Sequence, residues 1–368
     1  MAVIQEMAAT DTTRRRRWRT RRGRIPTKNM LVVTITIVLL LVGVVLSASL
    51  GQLPIGASQV IGTVLQAVGI DYGAAPEDRL IQQTLWQIRF PRVMMSMLVG
   101  ASLAVAGGVM QAIFGNPLAE PGVVGVSSGA ALGAATAITF GLSIFGNWTI
   151  AVLAFLGGLI ATLIVYSTAR SQGRTEVVTL LLTGIAVNAF AGAGLALINF
   201  AGDTQSREQI VFWQLGSLNG SRWNEVFIVG LVATIATLLA LGLSSQYDLL
   251  SLGDRTASHL GVKVERLRIF SVVLVALLTG VGVAFVGIIA FVGLVVPHLI
   301  RMLIGPGHRW LLLLSVIGGA TLLVYADLLA RTLIPAADLP IGMLTSLVGG
   351  PFFFWLIRRN RRKAGGWA

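Results

Sequence analysis

Ten apolar runs follow one another along this chain, and each approaches the length of a helix that crosses a bilayer. A spanning helix needs about 20 mostly apolar residues. Only 12% of the residues are charged, about half the share found in soluble domains. We therefore predict an all-α polytopic membrane protein with ten transmembrane helices in one domain, residues 30–357. The ten runs are 30–50, 90–114, 122–142, 147–169, 177–200, 226–243, 268–288, 289–304, 310–333 and 340–357.

Lysine and arginine are concentrated in the tails 1–29 and 358–368 and in connections at alternate ends of the predicted helices. Cytoplasmic connections of membrane proteins carry such an excess. We therefore expect both tails in the cytoplasm and the chain in the inner or plasma membrane. This distribution explains the net charge of +13 without nucleic-acid binding, and anionic lipid is the partner expected for the tails. The run 30–50 lacks a clear cleavage site after it and is predicted to remain as the first helix.

Several kinds of chemistry lack their sequence signatures. The chain has no cysteine, its three histidines are scattered, and no GxxxxGK[ST] loop that would bind a nucleotide phosphate occurs. We expect no metal site, no catalytic residue and no cofactor held by the chain itself. A membrane enzyme would need a polar catalytic cluster, and the spans offer no candidate beyond Asp327 and Arg331.

Asp327 is the one ionisable residue found well inside a predicted span. Arg331 follows four residues later, the favourable order for an ion pair on one helix face, so we predict that the two side chains pair. Ion-coupled carriers usually have more charged groups at the membrane midplane. The scarcity of such groups here argues against an ion-coupled secondary transporter. That class stays as the alternative, and it predicts uptake without an ATPase partner.

Two further features stand out between the spans. The stretch WQIRFPR places Arg89 and Arg92 beside Pro91 at the predicted start of the second helix, where proline is well accommodated. We expect both arginines to project outward from a rigid ledge; snorkelling to lipid headgroups is the alternative. The longest predicted cytoplasmic connection, 244–268, is amphipathic, which favours short helices lying against a partner over a solvated loop.

Four stretches of the chain form a specific set of motifs, namely WQIRFPR, GGVMQAIFGNPLAEPGVVGVSSGA, GIIAFVGLVVPHLIRMLIGPGHR and ADLPIGMLTSLVGGPFFFWL. Together they resemble the permeases of type II ABC importers, the FecCD permease family, which serve iron chelates, haem and cobalamin. The likeness runs from about residue 30 over nearly the whole chain. It implies two identical subunits around a central path, two ATPase subunits that hold ATP and Mg²⁺ on the cytoplasmic side, and a substrate-binding protein outside.

The resemblance also carries residue roles. The segment LGDRTASHLG matches the family's coupling helices, which contact the ATPases, and the loop GNPLAEP matches part of its cytoplasmic gate. The second gate segment usually carries small hydroxyl residues, whereas this chain has valines, so we expect a hydrophobic closure there. The implied coupling residues are Gly253, Asp254, Ala257, Leu260 and Gly261; the gate residues are Asn116, Leu118, Val177 and Val178; the residues that dock the binding protein are Arg89, Arg92 and Arg331.

The substrate is the least constrained part of the prediction. The stretches LLLTGIAVNAFAGAGLALINF and SREQIVFWQLGSLNGSRW resemble haem permeases somewhat more than other members of the family. We predict a haem importer permease, with ferric siderophore and then cobalamin as the alternatives.

Overall fold

The computed structural model describes residues 27–70, 74–171, 174–334 and 337–363. The chain divides into two units, residues 1–35 and 36–368. The first is described only in the opening turns of its helix, and all contacts discussed below belong to the second. Most of the predicted basic tail 1–29 and the end of the tail 358–368 lie outside the described residues.

The described part of the chain is almost entirely helical. A pair of two-residue strands, β1 (Arg170–Ser171) and β2 (Arg174–Thr175), forms a small antiparallel hairpin. The helices are α1 Thr27–Ser49, α2 Ala57–Ala67, α3 Arg79–Phe114, α4 Val126–Thr139, α5 Thr149–Thr168, α6 Val177–Ala201, α7 Thr204–Leu215, α8 Trp223–Gly242, α9 Ser244–Leu250, α10 Asp254–His259, α11 Val264–Val286, α12 Val292–Ile304, α13 His308–Thr332 and α14 Ile341–Lys363.

All ten predicted runs coincide with apolar helices. Among the described residues, seven helices are long and apolar enough to cross a membrane, namely α1, α3, α5, α6, α8, α11 and α13. Three shorter apolar helices, α4, α12 and the apolar part of α14, cover the other runs. The all-α membrane fold is therefore confirmed, whereas the count of ten spans stays a prediction.

Helix α3 begins well before the predicted start at residue 90. It runs for 36 residues from Arg79, about 54 Å at 1.5 Å per residue, and its turn Thr84–Arg89 is π-helical. Pro91 has no N–H and its ring crowds the preceding turn, and a local π-helical turn is one way a helix accommodates such a break. Arg89 and Arg92 therefore lie inside a continuous helix, not at its first turn.

Glycine contacts hold α3 at the centre of the bundle. A Cβ atom added to Gly100 would lie 2.2 Å from the carbonyl oxygen of Gly319 in α13, and one added to Gly107 would lie 1.7 Å from that of Gly293 in α12. Helices α4 and α5 meet in the same way at Gly129 and Gly157. Small residues permit such close approach between membrane helices, so many of the 43 glycines serve packing.

The link between α11 and α12 is not helical. Residues 287–291 form an irregular segment, and the Ser217 N–H donates to the Val286 carbonyl, just before it, at 2.8 Å. The Ile341 N–H donates to the Gly216 carbonyl at 3.0 Å. Irregular backbone survives in a membrane protein where protein encloses it. The two adjacent predicted spans 268–288 and 289–304 are thus separated by a buried loop.

Helix α6 leaves most of its surface uncovered. Its buried residues are Leu180, Gly184 and Ala191, while large apolar side chains cover the rest. A continuous apolar surface of this kind needs lipid or another chain against it. The exposed apolar side chains are Val178, Leu182, Ile185, Phe190, Leu197 and Phe200.

Candidate functional site

Polar side chains gather at the two ends of α13, and the first group contains all three predicted docking arginines. Arg92 of α3 donates from Nε and Nη2 to the Asp327 carboxylate of α13, at 2.9 to 3.1 Å. Its Nη1 donates to Asp338 at 2.9 Å, just before α14. Charge-assisted bonds with two donors are among the strongest that proteins make. One guanidinium thus joins α3, α13 and the segment that leads into α14.

The other two arginines cap the end of α1. Arg89 donates to the carbonyls of Ala48 and Leu53. Arg331 donates to the carbonyl of Ser47, to its Oγ at 2.6 Å, and to the Leu50 carbonyl at 3.0 Å. The last carbonyls of a helix have no partner within it and carry partial negative charge. The two guanidinium groups satisfy these oxygens and hold α1 against the bundle.

The expectation that these arginines are exposed is wrong. Arg89 is 6% exposed, and the side chains of Arg92 and Arg331 are 11% and 8% exposed. The reason is the early start of α3, which brings Arg89 and Arg92 into the helix where neighbouring elements surround them. Their predicted role in docking a binding protein stays a prediction, but the visible contacts of all three are internal.

Asp327 and Arg331 lie close together, as predicted, but Arg331 is not the main partner of Asp327. The Nε atom of Arg331 lies 3.5 Å from Asp327 Oδ2, so the two residues are close, as their spacing implies. The main partner of Asp327 is nevertheless Arg92, at 2.9 Å. The nitrogens at the tip of the Arg331 side chain instead reach the α1 carbonyls, a contact that sequence spacing within α13 does not reveal.

At the other end of α13, the predicted coupling loop 244–268 contains two short helices, α9 and α10. Gly253 precedes α10 with a φ of 98°, and Gly261 follows it with a φ of 90°, values that favour glycine. Leu260 is 57% exposed, as a partner-binding side chain would be, whereas Ala257 is fully buried. Ala257 therefore supports α10 from within, and its predicted part in ATPase coupling stays a prediction.

Two contacts fasten α9 to the bundle. The Asp248 carboxylate accepts from the backbone N–H of His308, at 2.8 Å, and lies 2.7 Å from its ring Nδ1. Because Gly307 has no side chain to cap α13, this aspartate supplies the cap from another helix. The Tyr247 hydroxyl bonds Ser271 of α11 at 2.8 Å, and burial raises the pKa of Tyr247 to about 12.

The structure brings three of the five predicted coupling residues close to one of the two predicted gate segments. A cavity of about 1150 Å³ has Asp254 and Gly261 on one side and Val177 and Val178 on the other. Val178 is 67% exposed. A second cavity of about 600 Å³ adjoins it and includes Leu260. Movement of the coupling helices thus has a short route to the start of α6.

The other predicted gate residues, Asn116 and Leu118, lie in the loop after α3. The Asn116 side chain accepts from the Leu118 N–H at 2.9 Å, which makes a local turn. Among the described residues, neither lines the two cavities. Glu120, in the same loop, received no prediction, and burial raises the pKa of its carboxyl.

Within the part of the chain that the structure describes, no group of three or more histidine, cysteine or acidic side chains could hold a metal ion. The polar contacts between helices could not be read from local sequence, because Asp248 and His308 are 60 positions apart, and Thr175 and Glu265 are 90 apart. The sequence signal for such a contact is a charged residue on an otherwise apolar helix.

Apolar helices long enough to cross a membrane, with two short helices packed near one end of α13, define a polytopic membrane protein. A solved structure described as an inward-facing metal-chelate type ABC transporter gives the more exact class. It aligns with a TM-score of 0.78 and 32% identity over 90% of this chain and 99% of that one. The fold is therefore that of a type II ABC importer permease, the membrane channel component of such a transporter.

The chain belongs to the FecCD transport family, whose sequence model matches residues 39–359. Among its relatives is the hemin transport system permease protein HmuU of Yersinia pestis, 43% identical over 77% of this chain and 85% of that protein. Another is the cobalamin import system permease protein BtuC of Halobacterium salinarum, 38% identical over 82% of this chain and 80% of that protein.

Proposed function

We propose that this chain forms the translocation path of an ATP-driven importer for haem. The observation that carries the mechanism is the shared cavity in which the coupling helix α10 faces Val177 and Val178 at the start of α6. An ATPase that displaces α10 would act on the gate segment across a single cavity. The chain itself supplies binding surfaces and a path, and ATP and Mg²⁺ belong to the partner subunits.

Each expected partner has a matching surface. The exposed apolar face of α6 suits a second copy of the chain, so that two α6 helices border one path. The two cavities beside α9 and α10, with exposed Leu260 at their border, suit an ATPase subunit on the cytoplasmic side. Both tails then lie in the cytoplasm, as the distribution of basic residues predicts.

Haem is proposed as the substrate ahead of ferric siderophores and cobalamin. The hemin permease relative is 43% identical, against 37% to 40% for the cobalamin and vitamin B12 permeases among the relatives. The exposed surface of α6 is apolar and includes Phe190 and Phe200, which suits a large, partly hydrophobic cargo that passes without coordination by the permease.

Docking of a binding protein at the arginine end is proposed in a narrower form. The cluster contains three arginines but only two carboxylates, those of Asp327 and Asp338, so it keeps a net positive charge. Such a charge steers an acidic partner more than it adds affinity. Arg92→Gln should therefore slow association with the binding protein at low salt, and the difference from wild type should shrink as salt is raised. A wild-type rate at low salt would exclude docking by Arg92.

The function is tested by joining the permease with a candidate ATPase and binding protein in nanodiscs. ATP hydrolysis is then measured with haem, a ferric siderophore and cobalamin. We expect the largest stimulation with haem-loaded binding protein. Leu260→Glu should abolish ATPase binding, while Arg309→Gln, which removes an exposed charge bordering neither cavity, should not. Substrate uptake without any ATPase would favour an ion-coupled secondary transporter.

A further inference from the structure

Thr175 is held firmly just before the gate segment of α6. Its backbone N–H donates to Glu265 Oε1 at 2.7 Å, and its hydroxyl donates to Glu265 Oε2 at 2.8 Å. Thr175 is 4% exposed, and Val177 and Val178 follow within three residues. Both oxygens of one carboxylate at the start of α11 thus fix the backbone from which α6 begins.

Arg268, one helical turn further along α11, reaches two elements at once. Its Nη2 donates to Asp254 of the coupling helix α10 at 2.9 Å, and its Nη1 donates to the Thr175 carbonyl at 3.3 Å. Arg268 is 8% exposed. A guanidinium is planar and holds its donors in a fixed fork. Because the one guanidinium binds both groups, a displacement of the Asp254 carboxylate also displaces the Thr175 carbonyl.

The contacts of Arg268 join the two regions that transport has to couple, the proposed ATPase surface and the proposed gate. Asp254 lies on the helix proposed to contact the ATPase, with a side chain 54% exposed, and Thr175 lies at the base of the gate. Arg268 spans the wall of the cavity between them. Among the described residues, side-chain hydrogen bonds between α9 and other helices run to Ser271 of α11 and His308 of α13, and neither partner lies on α6.

We propose that Arg268 is the positioning residue that transmits movement of the coupling helix to the gate at the start of α6, with Glu265 holding Thr175 as the receiving end. The proposal rests on the function proposed above. A lysine carries the same charge but is a single point donor, so it keeps the attraction to Asp254 and loses the simultaneous hold on Thr175.

The absence of cysteine from the sequence gives a direct readout. Val178→Cys creates a single thiol at an exposed gate position, and its labelling rate by a water-soluble maleimide reports how open the gate is. The complete complex with ATPase is measured without nucleotide and with ATP plus vanadate. We expect the labelling rate to change strongly between the two states when Arg268 is present.

In the same background, Arg268→Lys and Asp254→Asn should each reduce this nucleotide-dependent change by up to about fivefold, the upper limit for an ion pair whose carboxylate is half exposed. ATPase binding should persist in Arg268→Lys, because the Arg268 side chain is buried away from the proposed ATPase surface. Asp254 is half exposed, so its variant tests the relay even if Arg268→Lys folds poorly. Arg309→Gln is the control with an unaltered response. An undiminished response in both relay variants overturns the relay alone. No nucleotide response with Arg268 intact overturns the proposed gate and the relay together.

Discussion

The buried carboxylate of Asp327 should contribute far more to stability than the neighbouring Asp338, although both bind the same arginine. The Asp327 side chain is 1% exposed, accepts from two nitrogens of Arg92 and lies 3.5 Å from Arg331. The Asp338 side chain is 35% exposed and accepts one bond. Replacement of each by asparagine preserves shape and removes the charge, so the two variants form a matched pair.

The magnitudes follow from burial. Breaking a buried ion pair costs about 3–5 kcal/mol because the remaining charge stays in a poor solvent, whereas a pair open to water contributes about 0–1 kcal/mol. Arg92 keeps Asp338 as a partner when Asp327 is replaced, which favours the lower end of the first range. We expect a loss of about 3 kcal/mol for Asp327→Asn and less than about 1 kcal/mol for Asp338→Asn.

The assay is reversible unfolding of the purified permease in mixed micelles, with the free energy of unfolding compared among variants. Double-mutant cycles then rank the partners of Asp327. The coupling energy with Arg92→Gln should exceed that with Arg331→Gln, because the terminal nitrogens of Arg331 donate to Ser47 and Leu50. Equal losses for both aspartates, or a larger coupling to Arg331, would refute the arrangement described for this cluster.

Three further outcomes are expected. Gly107→Ala should destabilise the bundle by about 1–3 kcal/mol or more, because the added carbon meets the Gly293 carbonyl. The control is Gly192→Ala, where the added carbon meets open space among the described atoms. This variant should be neutral or slightly stabilising in the same unfolding assay. Burial raises the pKa of Glu120 above 4.5, so stability should fall as pH rises from about 4 towards 7, and Glu120→Gln should remove that part of the fall in a thermal scan. Asp248→Asn should loosen the start of α13 and speed hydrogen exchange of its first amides, with the amides near Arg331 unchanged.

The sequence was sufficient for the helical architecture because spanning helices need long apolar runs, and such runs are visible without any tertiary information. Helices α9 and α10 could also be predicted, because the amphipathic mixture of leucines and polar residues in 244–268 favours helices at a surface. The start of α3 was missed because residues 79–89 are too polar to resemble a span, and Pro91 resembles a helix start.

The site was predicted less completely, for a different physical reason. Spacing identifies residues on one helix face, so it placed Asp327 close to Arg331, but it carries no information about a second helix. Arg92 took the main contact with Asp327, and the carbonyls of α1 took Arg331. The same limit hid Arg268 and Thr175, whose contact depends on how α11 packs beside the hairpin that precedes α6.

ATP-driven haem import by this permease is tested most directly by uptake into liposomes. The permease is reconstituted with its ATPase subunits, haem-loaded binding protein is supplied on the side of the arginine cluster, and accumulated haem is measured with and without ATP. We predict accumulation that requires ATP and the binding protein, and that Leu260→Glu abolishes. Haem accumulation that is equally fast without ATP or without the ATPase would contradict the proposed function.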